Sequence, residues 1–248
     1  MSLRGKKYSG DLYGRKFGST DPAVKLGNLT SLTFEKSSDT EELQSTGKND
    51  YGQAIESVTK PGVTKIKMEF NTFDKNAMAR ALMGEAVDLS TTPKTVTDEA
   101  LTATVGEWLK LAEQDIDPAN ITVKAGAGGT AVPADHYEVN ARLGMVRLIA
   151  GKTTAQNGDP LKISYKTKGS KGFAIDADTV QRFDMELYLD GRDRITGEEG
   201  ILNIWHAALQ SDGNLDWLSD DWWKNGVSGT ALKPADKPSP YRFTQFTE

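Results

Sequence analysis

The sequence predicts a mainly β protein: a β-sandwich or barrel with one flanking α-helix and a β-rich insertion. Three observations lead there. Twenty-four glycines among 248 residues, with many Thr, Ser, Asp and Asn, favour turns over helices. Two segments alternate strictly with period two, as half-buried strands do: Ile66, Met68 and Phe70 against Lys65, Lys67 and Glu69, then Phe183, Met185, Leu187 and Leu189 against Arg182, Asp184, Glu186, Tyr188 and Asp190. Between them, short apolar runs recur from residue 101 to 168, separated by turn clusters such as Gly126–Gly129 and Gln156–Asp159.

Taken in order, residues 1–24 read as an extended N-terminal arm. They carry Arg4, Lys6, Lys7, Arg15 and Lys16, interleaved with Tyr8, Tyr13 and Phe17. Such a segment is either an unattached terminus or an arm that docks on an acidic neighbouring subunit. Leu32 and Phe34 then alternate with Ser and Thr in a first strand, Leu26–Phe34. A long polar stretch from Lys36 to Ile55 follows; its Thr40-Glu-Glu-Leu-Gln-Ser45 part can form strand, and its tip is rich in turn residues. A loop of that length is functional or disordered.

Asp74 caps a predicted helix from Lys75 to Met83. Ala77, Met78, Ala81 and Leu82 share a face, and Gly84 ends it. Its Met78 and Leu82 stripe reads as a seam packed on a sheet. The insertion, 101–168, holds five strand candidates and suggests a small antiparallel sandwich or a pair of elaborated hairpins, although it can also be continuous with the main sheets. The main β domain is therefore 25–100 plus 169–248. It closes with an apolar strand, Ile201–Leu209, and the aromatic clusters around Trp217, Trp222 and Trp223.

Composition excludes several functions. With no Cys there is no disulfide, thiolate nucleophile or thiolate metal site, which suits a reducing compartment. The net charge of -5 disfavours non-specific nucleic-acid binding. The basic N-terminus lacks an apolar core and does not read as a secretory signal, and no apolar run approaches 18 residues. From Lys171 to Trp223 there are 12 acidic residues against 4 basic ones, a local net charge of -8.

Each chemical motif fails on a named residue. Ala150-Gly-Lys-Thr-Thr resembles the end of a phosphate loop, but Val146 stands where glycine is required. Asp212-Gly-Asn-Leu-Asp216 opens like a calcium loop, but Trp217 and Trp223 replace its glycine and final glutamate. His136 and His206 lack ligand-spaced partners. His206 reads as a core or interface residue with one hydrogen bond. Asp176 with Asp178 and Asp220 with Asp221 fit exposed acidic faces better than a glycosidase pair. No catalytic, cofactor-binding or metal residues are assigned, and the chain is not expected to be an enzyme.

The order of these pieces resembles the major tail protein, or tail tube protein, of long-tailed bacteriophages. The resemblance rests on Lys25–Phe34, the long hairpin, the Phe73–Gly84 helix, the late strands, and the Asp216-Trp-Leu-Ser-Asp-Asp-Trp222 segment followed by Gly226-Val-Ser-Gly-Thr-Ala-Leu232. It covers about residues 20–90 and 171–235 and has no short diagnostic motif; 101–168 departs from the family's shortest members.

The resemblance implies a β-sandwich or barrel that forms homo-hexameric rings stacked into a hollow tube, which passes DNA without sequence-specific binding. It implies a tape measure protein in the lumen, terminator and distal tail proteins at the tube ends, and a place in the virion tail after synthesis in the host bacterial cytoplasm. Contacts between rings would fall on Lys36, Glu41, Glu42, Leu43, Lys48 and Tyr51 of the hairpin and on Lys6, Lys7, Tyr8 and Arg15 of the arm. Arg182, Asp184, Glu186 and Asp190 would face the lumen, where acidic groups repel phosphate. The alternatives are a glycan- or receptor-binding decoration module with a Trp platform and a related secretion-system tube protein.

Overall fold

A computed structural model describes residues 4–213 and 215–246. The strands are β1 (Tyr8–Lys16), β2 (Val24–Lys25), β3 (Leu29–Gln44), β4 (Ala54–Phe70), β5 (Glu85–Ser90), β6 (Thr95–Thr102), β7 (Trp108–Lys110), β8 (Ile116–Ala125), β9 (Thr130–Val132), β10 (Tyr137–Asn140), β11 (Met145–Leu148), β12 (Pro160–Thr167), β13 (Lys171–Asp176), β14 (Phe183–Asp193), β15 (Glu199–Ser211), β16 (Asn225–Ala231) and β17 (Tyr241–Gln245). One α-helix, α1 (Lys75–Ala81), separates β4 from β5, and a short 3-10 turn spans Ala134–His136. The fold is mainly β with one helix, as the composition implies.

The chain divides into two units, 1–86 with 175–248, and 87–174. These boundaries differ from the expected 101–168 insertion: β6 lies in the second unit because it pairs with β12, from Leu101 opposite Leu161 to Thr95 opposite Lys166. The unit boundaries fall within β5 and β13, which pair with each other as a separate two-stranded ribbon.

In the first unit one antiparallel sheet runs β2-β1-β14-β15-β16-β4-β3. β17 joins β15 at the half that β16 leaves uncovered. Phe34 of β3 stacks on Tyr241 of β17 with centroids 4.6 Å apart, so the sheet curls back on itself. Its core gathers Leu12, Ile66, Met68, Leu187, Ile204 and Leu209. The inward positions are those the period-two pattern assigns, and covering such apolar faces drives the curl.

The expected free arm is instead a strand. β1 pairs with β14 over its whole length, Tyr8 opposite Asp193 and Lys16 opposite Met185, and Leu12 is fully buried. Its other inward positions are Gly10 and Gly14; a Cβ on Gly10 would lie 2.2 Å from the Asp190 carbonyl oxygen. The stretch thus joins the sheet through backbone bonding and one apolar anchor.

Asp74 caps α1 by accepting from the Ala77 N–H at 2.6 Å. At the other end the left-handed residue is Met83 (φ 51°), with Gly84 N–H donating to Ala79 O and Met83 N–H to Arg80 O. Gly84 is required for a different reason: a Cβ there would meet the Asp176 carbonyl at 2.3 Å. The buried helix residues are Ala77 and Ala79, while Met78 and Leu82 are half-buried. The expected Met78 and Leu82 seam is thus only partly covered, and the buried positions are the two small residues.

The second unit has two sheets, β6-β12-β8-β9 and β10-β11-β7. Both contribute to one core, among them Val123, Leu161 and Ile163 from the first and Val146 and Leu148 from the second. Tyr165 is buried there; its hydroxyl donates to Glu99 at 2.6 Å and accepts from the Glu113 N–H at 3.2 Å. Burial, followed by the bond to Glu99, pushes this phenol well above its ordinary pKa.

Candidate functional site

The most distinctive surface of the first unit is the β3–β4 hairpin. β16 covers β4 only from Thr64 to Phe70. Beyond that point β3 and β4 pair only with each other, from Ser38 opposite Pro61 to Gln44 opposite Ala54. At strand rise this free ribbon extends roughly 23 Å. Its tip is ordered by Ser45 N–H to Gln53 O and Gly52 N–H to Ser45 O, both 2.8 Å. Strand therefore runs through Thr40–Gln44, and only the turn-rich tip, 45–53, is loop. A Lys60–Glu41 ion pair of 2.5 Å and a Thr40–Thr59 hydroxyl contact of 3.2 Å brace it.

The ribbon is also unexpectedly apolar. Leu43 is 59% exposed and Tyr51 80%, and Ile55, Val58 and Val63 are exposed as well. Register places Leu43 and Val58 on one face, diagonal to each other. Glu42 and Lys48 are exposed. Lys36 sits at the base, its ammonium 5.6 Å from the centre of the Tyr241 ring. Sequence reading missed Ile55 and Val58, although Ala-Ile-Glu-Ser-Val directly after the turn is a β-branched strand signal. β3 ends the sheet order, so its outer edge has no partner strand among the described residues.

The four arm candidates sit within their own sheet. Lys6 reaches Gln245 at 2.5 Å and Glu198 at 3.4 Å, and the Lys7 N–H donates to Asp193 at 3.1 Å. Tyr8 packs edge-on against Phe243, centroids 5.9 Å apart. Arg15 holds Glu186 with contacts of 2.7 and 2.8 Å. They act as internal fastenings of the sheet, which corrects their placement on a free arm.

The proposed lining strand is largely neutralised. Asp184, Glu186 and Asp190 do share the outer face of β14, opposite buried Met185 and Leu187, while Arg182 directly precedes the strand. Asp184, however, accepts from Arg182 at 3.0 Å and contacts His206 Nε2 at 2.7 Å, while His206 stacks on Phe17 with centroids 3.8 Å apart. Glu186 is held by Arg15 and by the Tyr188 hydroxyl at 2.6 Å. Of the three carboxylates only Asp190 has no ion pair among the described residues.

These contacts set an acid limit. The His206 bond, outweighing burial and helped by Arg182, holds the Asp184 carboxyl below its usual range. Burial pushes Glu186 up, but Tyr188 and Arg15 more than offset it and hold it low. Asp193 is lowered by the Ile195 N–H, against burial, with help from the Lys7 N–H. A carboxyl depressed in the folded state stabilises the fold above its unfolded pKa, about 4, and loses that contribution as pH falls through the folded value. The urea midpoint should therefore fall as pH drops below about 4, and the decline should be shallower in Asp184→Asn with Glu186→Gln.

A second apolar surface lies between β15 and β16. Trp217 (59% exposed), Leu218 (94%) and Trp222 (88%) are largely uncovered. Trp223 anchors them, edge-on to both Phe73 (5.8 Å) and Trp217 (5.2 Å). Among the described residues no group of three His, Asp or Glu could hold a metal ion, and no helix is long and apolar enough to cross a membrane. Asn214 of the calcium-like stretch lies outside the described residues.

Fold and surface together define a mainly β, two-unit chain with exposed apolar side chains on a hairpin and on a tryptophan loop. The chain matches, over residues 3–248, the family described as Protein of unknown function UCP028589, and it belongs to that family. No curated protein matches it in sequence.

Proposed function

We propose that the chain is a structural, non-enzymatic protein that self-assembles into hexameric rings, which stack into the tail tube of a long-tailed bacteriophage. The observation that carries this reading is the β3–β4 hairpin: a two-stranded ribbon that runs beyond its sheet, holds Leu43, Tyr51, Ile55 and Val58 in water, and borders an open edge of β3. Exposed apolar strands beside an unpaired edge are an aggregation hazard in a monomer and a means of association in a polymer. In the assembled tube the lumen would hold a tape measure protein and pass DNA, and terminator and distal proteins would close the ends.

The internal pairing of Asp184 and Glu186 shapes the proposal. A lumen lined by that face would present salt-bridged, nearly neutral groups with Asp190 as its remaining charge, a surface that neither grips nor strongly repels phosphate.

A second reading, a glycan-binding decoration module, is favoured by Trp217 and Trp222, whose exposed rings could stack on sugars. Sedimentation velocity over a wide concentration range separates the two. Growth of the sedimenting species with concentration is expected of the tube subunit. A monomer at every concentration, with tryptophan fluorescence that responds to added oligosaccharides, would instead support the decoration module. A secretion-system tube would share the ring.

A further inference from the structure

We propose that the tryptophan loop of one copy, residues 216–223, seats in a cationic pocket beside α1 of a second copy, joining subunits head to tail. This rests on the self-assembly reading and names the surfaces that make one of its contacts.

The pocket has a volume of about 480 Å3 and lies where α1, the end of β1 and the start of β14 meet. Lys16 and Arg80 supply its unpaired charge, Arg182 is paired with Asp184, and Val180, Phe183 and Met185 supply apolar wall. Of the two acids that line it, Asp184 is committed to Arg182 and His206, and Glu85 is exposed. Neither Lys16 nor Arg80 has a described ion pair. Arg80 is half-buried, and burial pushes its guanidinium below its ordinary value, only partly opposed by Asp74. A partly desolvated cation without a direct carboxylate gains most from an incoming anion.

The loop has the complementary chemistry. Residues 212–223 include Asp212, Asp216, Asp220 and Asp221 and no basic residue. Asp220 and Asp221 directly precede Trp222, so an acid pair and a nearly bare indole are presented together, the combination that a cationic pocket with apolar walls accepts. No residue of the loop lines the pocket of its own chain. The two surfaces are distinct, so their contact is heterologous, the type that closes rings or propagates filaments.

The test is charge reversal with rescue in the full chain, read by sedimentation velocity. Lys16→Glu with Arg80→Glu, and separately Asp220→Lys with Asp221→Lys, should each raise the concentration needed for association about tenfold or more. All four changes in one chain should restore it. Because the chain has no cysteine, Glu85→Cys and Asp220→Cys variants, mixed and treated with a short bis-maleimide, should give a cross-linked pair containing one of each. Circular dichroism verifies folding of every variant. Unchanged association of the reversals, absence of rescue in a folded quadruple variant, or absence of the mixed cross-link would each overturn the contact and leave self-assembly standing. A parent chain that is monomeric at every concentration would overturn both.

Discussion

Replacing residues 39–60 with Asn-Gly should leave the first unit folded and abolish its polymerisation. Ser38 and Pro61 are directly opposed, so a two-residue turn can close the shortened hairpin between them. The residues that build the core from these strands, Leu32, Phe34, Ile66 and Met68, lie outside the excision. What disappears is the free ribbon with Leu43, Tyr51, Ile55 and Val58. An apolar side chain of this size contributes on the order of 1.5–3 kcal/mol when covered, so losing even two such contacts weakens association about 100-fold at 1.4 kcal/mol per tenfold. Sedimentation of the shortened chain should show monomer at concentrations where the parent assembles. Normal association by a folded, shortened chain would remove the hairpin from the contact.

The second large effect concerns β1. Leu12 is fully buried at the centre of a strand flanked inward by glycines, so no neighbouring side chain on β1 can fill the space it leaves. Leu12→Ala should cost about 3 kcal/mol. Leu12→Asp would bury a carboxylate without a partner and should unfold the first unit. The 87–174 unit has its own core, to which Leu12 does not belong. Chemical denaturation should therefore resolve an early transition that moves with the substitution and a later one that does not. An unchanged midpoint for Leu12→Ala would mean that β1 is the detachable arm its charges suggest.

That contrast shows what the sequence conveyed and what it withheld. Strands whose inward positions are all large and apolar, Ile66-Met68-Phe70 and Phe183 to Leu189, were legible because period-two alternation follows directly from burying one face. The Asp74 cap was legible for a similar reason, since it is local chemistry. β1 was not, because Gly10 and Gly14 stand where alternation requires bulk, and glycine read without a partner strand signals a turn. The requirement for a small residue comes at Gly10 from the Asp190 carbonyl of β14, far away in sequence, and at Gly14 from the side chains of Leu26, Leu187 and Met185. The helix shows the same limit: Met78 and Leu82 are its larger apolar residues, yet the buried ones are Ala77 and Ala79.

The candidate surfaces were legible in part. The hairpin's position was readable from its turn-rich tip, but its length as an ordered ribbon depends on cross-strand pairing that polar composition hides. The acid-rich character of the late strands was plain. Its neutralisation by Arg15, Arg182 and His206 was not, because Arg15 reaches Glu186 from β1, across 171 positions. The pocket around Arg80 was invisible, since it joins β1, α1 and β14 without any motif.

Negative-stain electron microscopy of the purified full chain, imaged over rising protein concentration, bears most directly on self-assembly. Six-fold rings with a central hole, stacking into tubes as concentration increases, are the expected result. Separate, monodisperse particles of single-chain size at every concentration would contradict it.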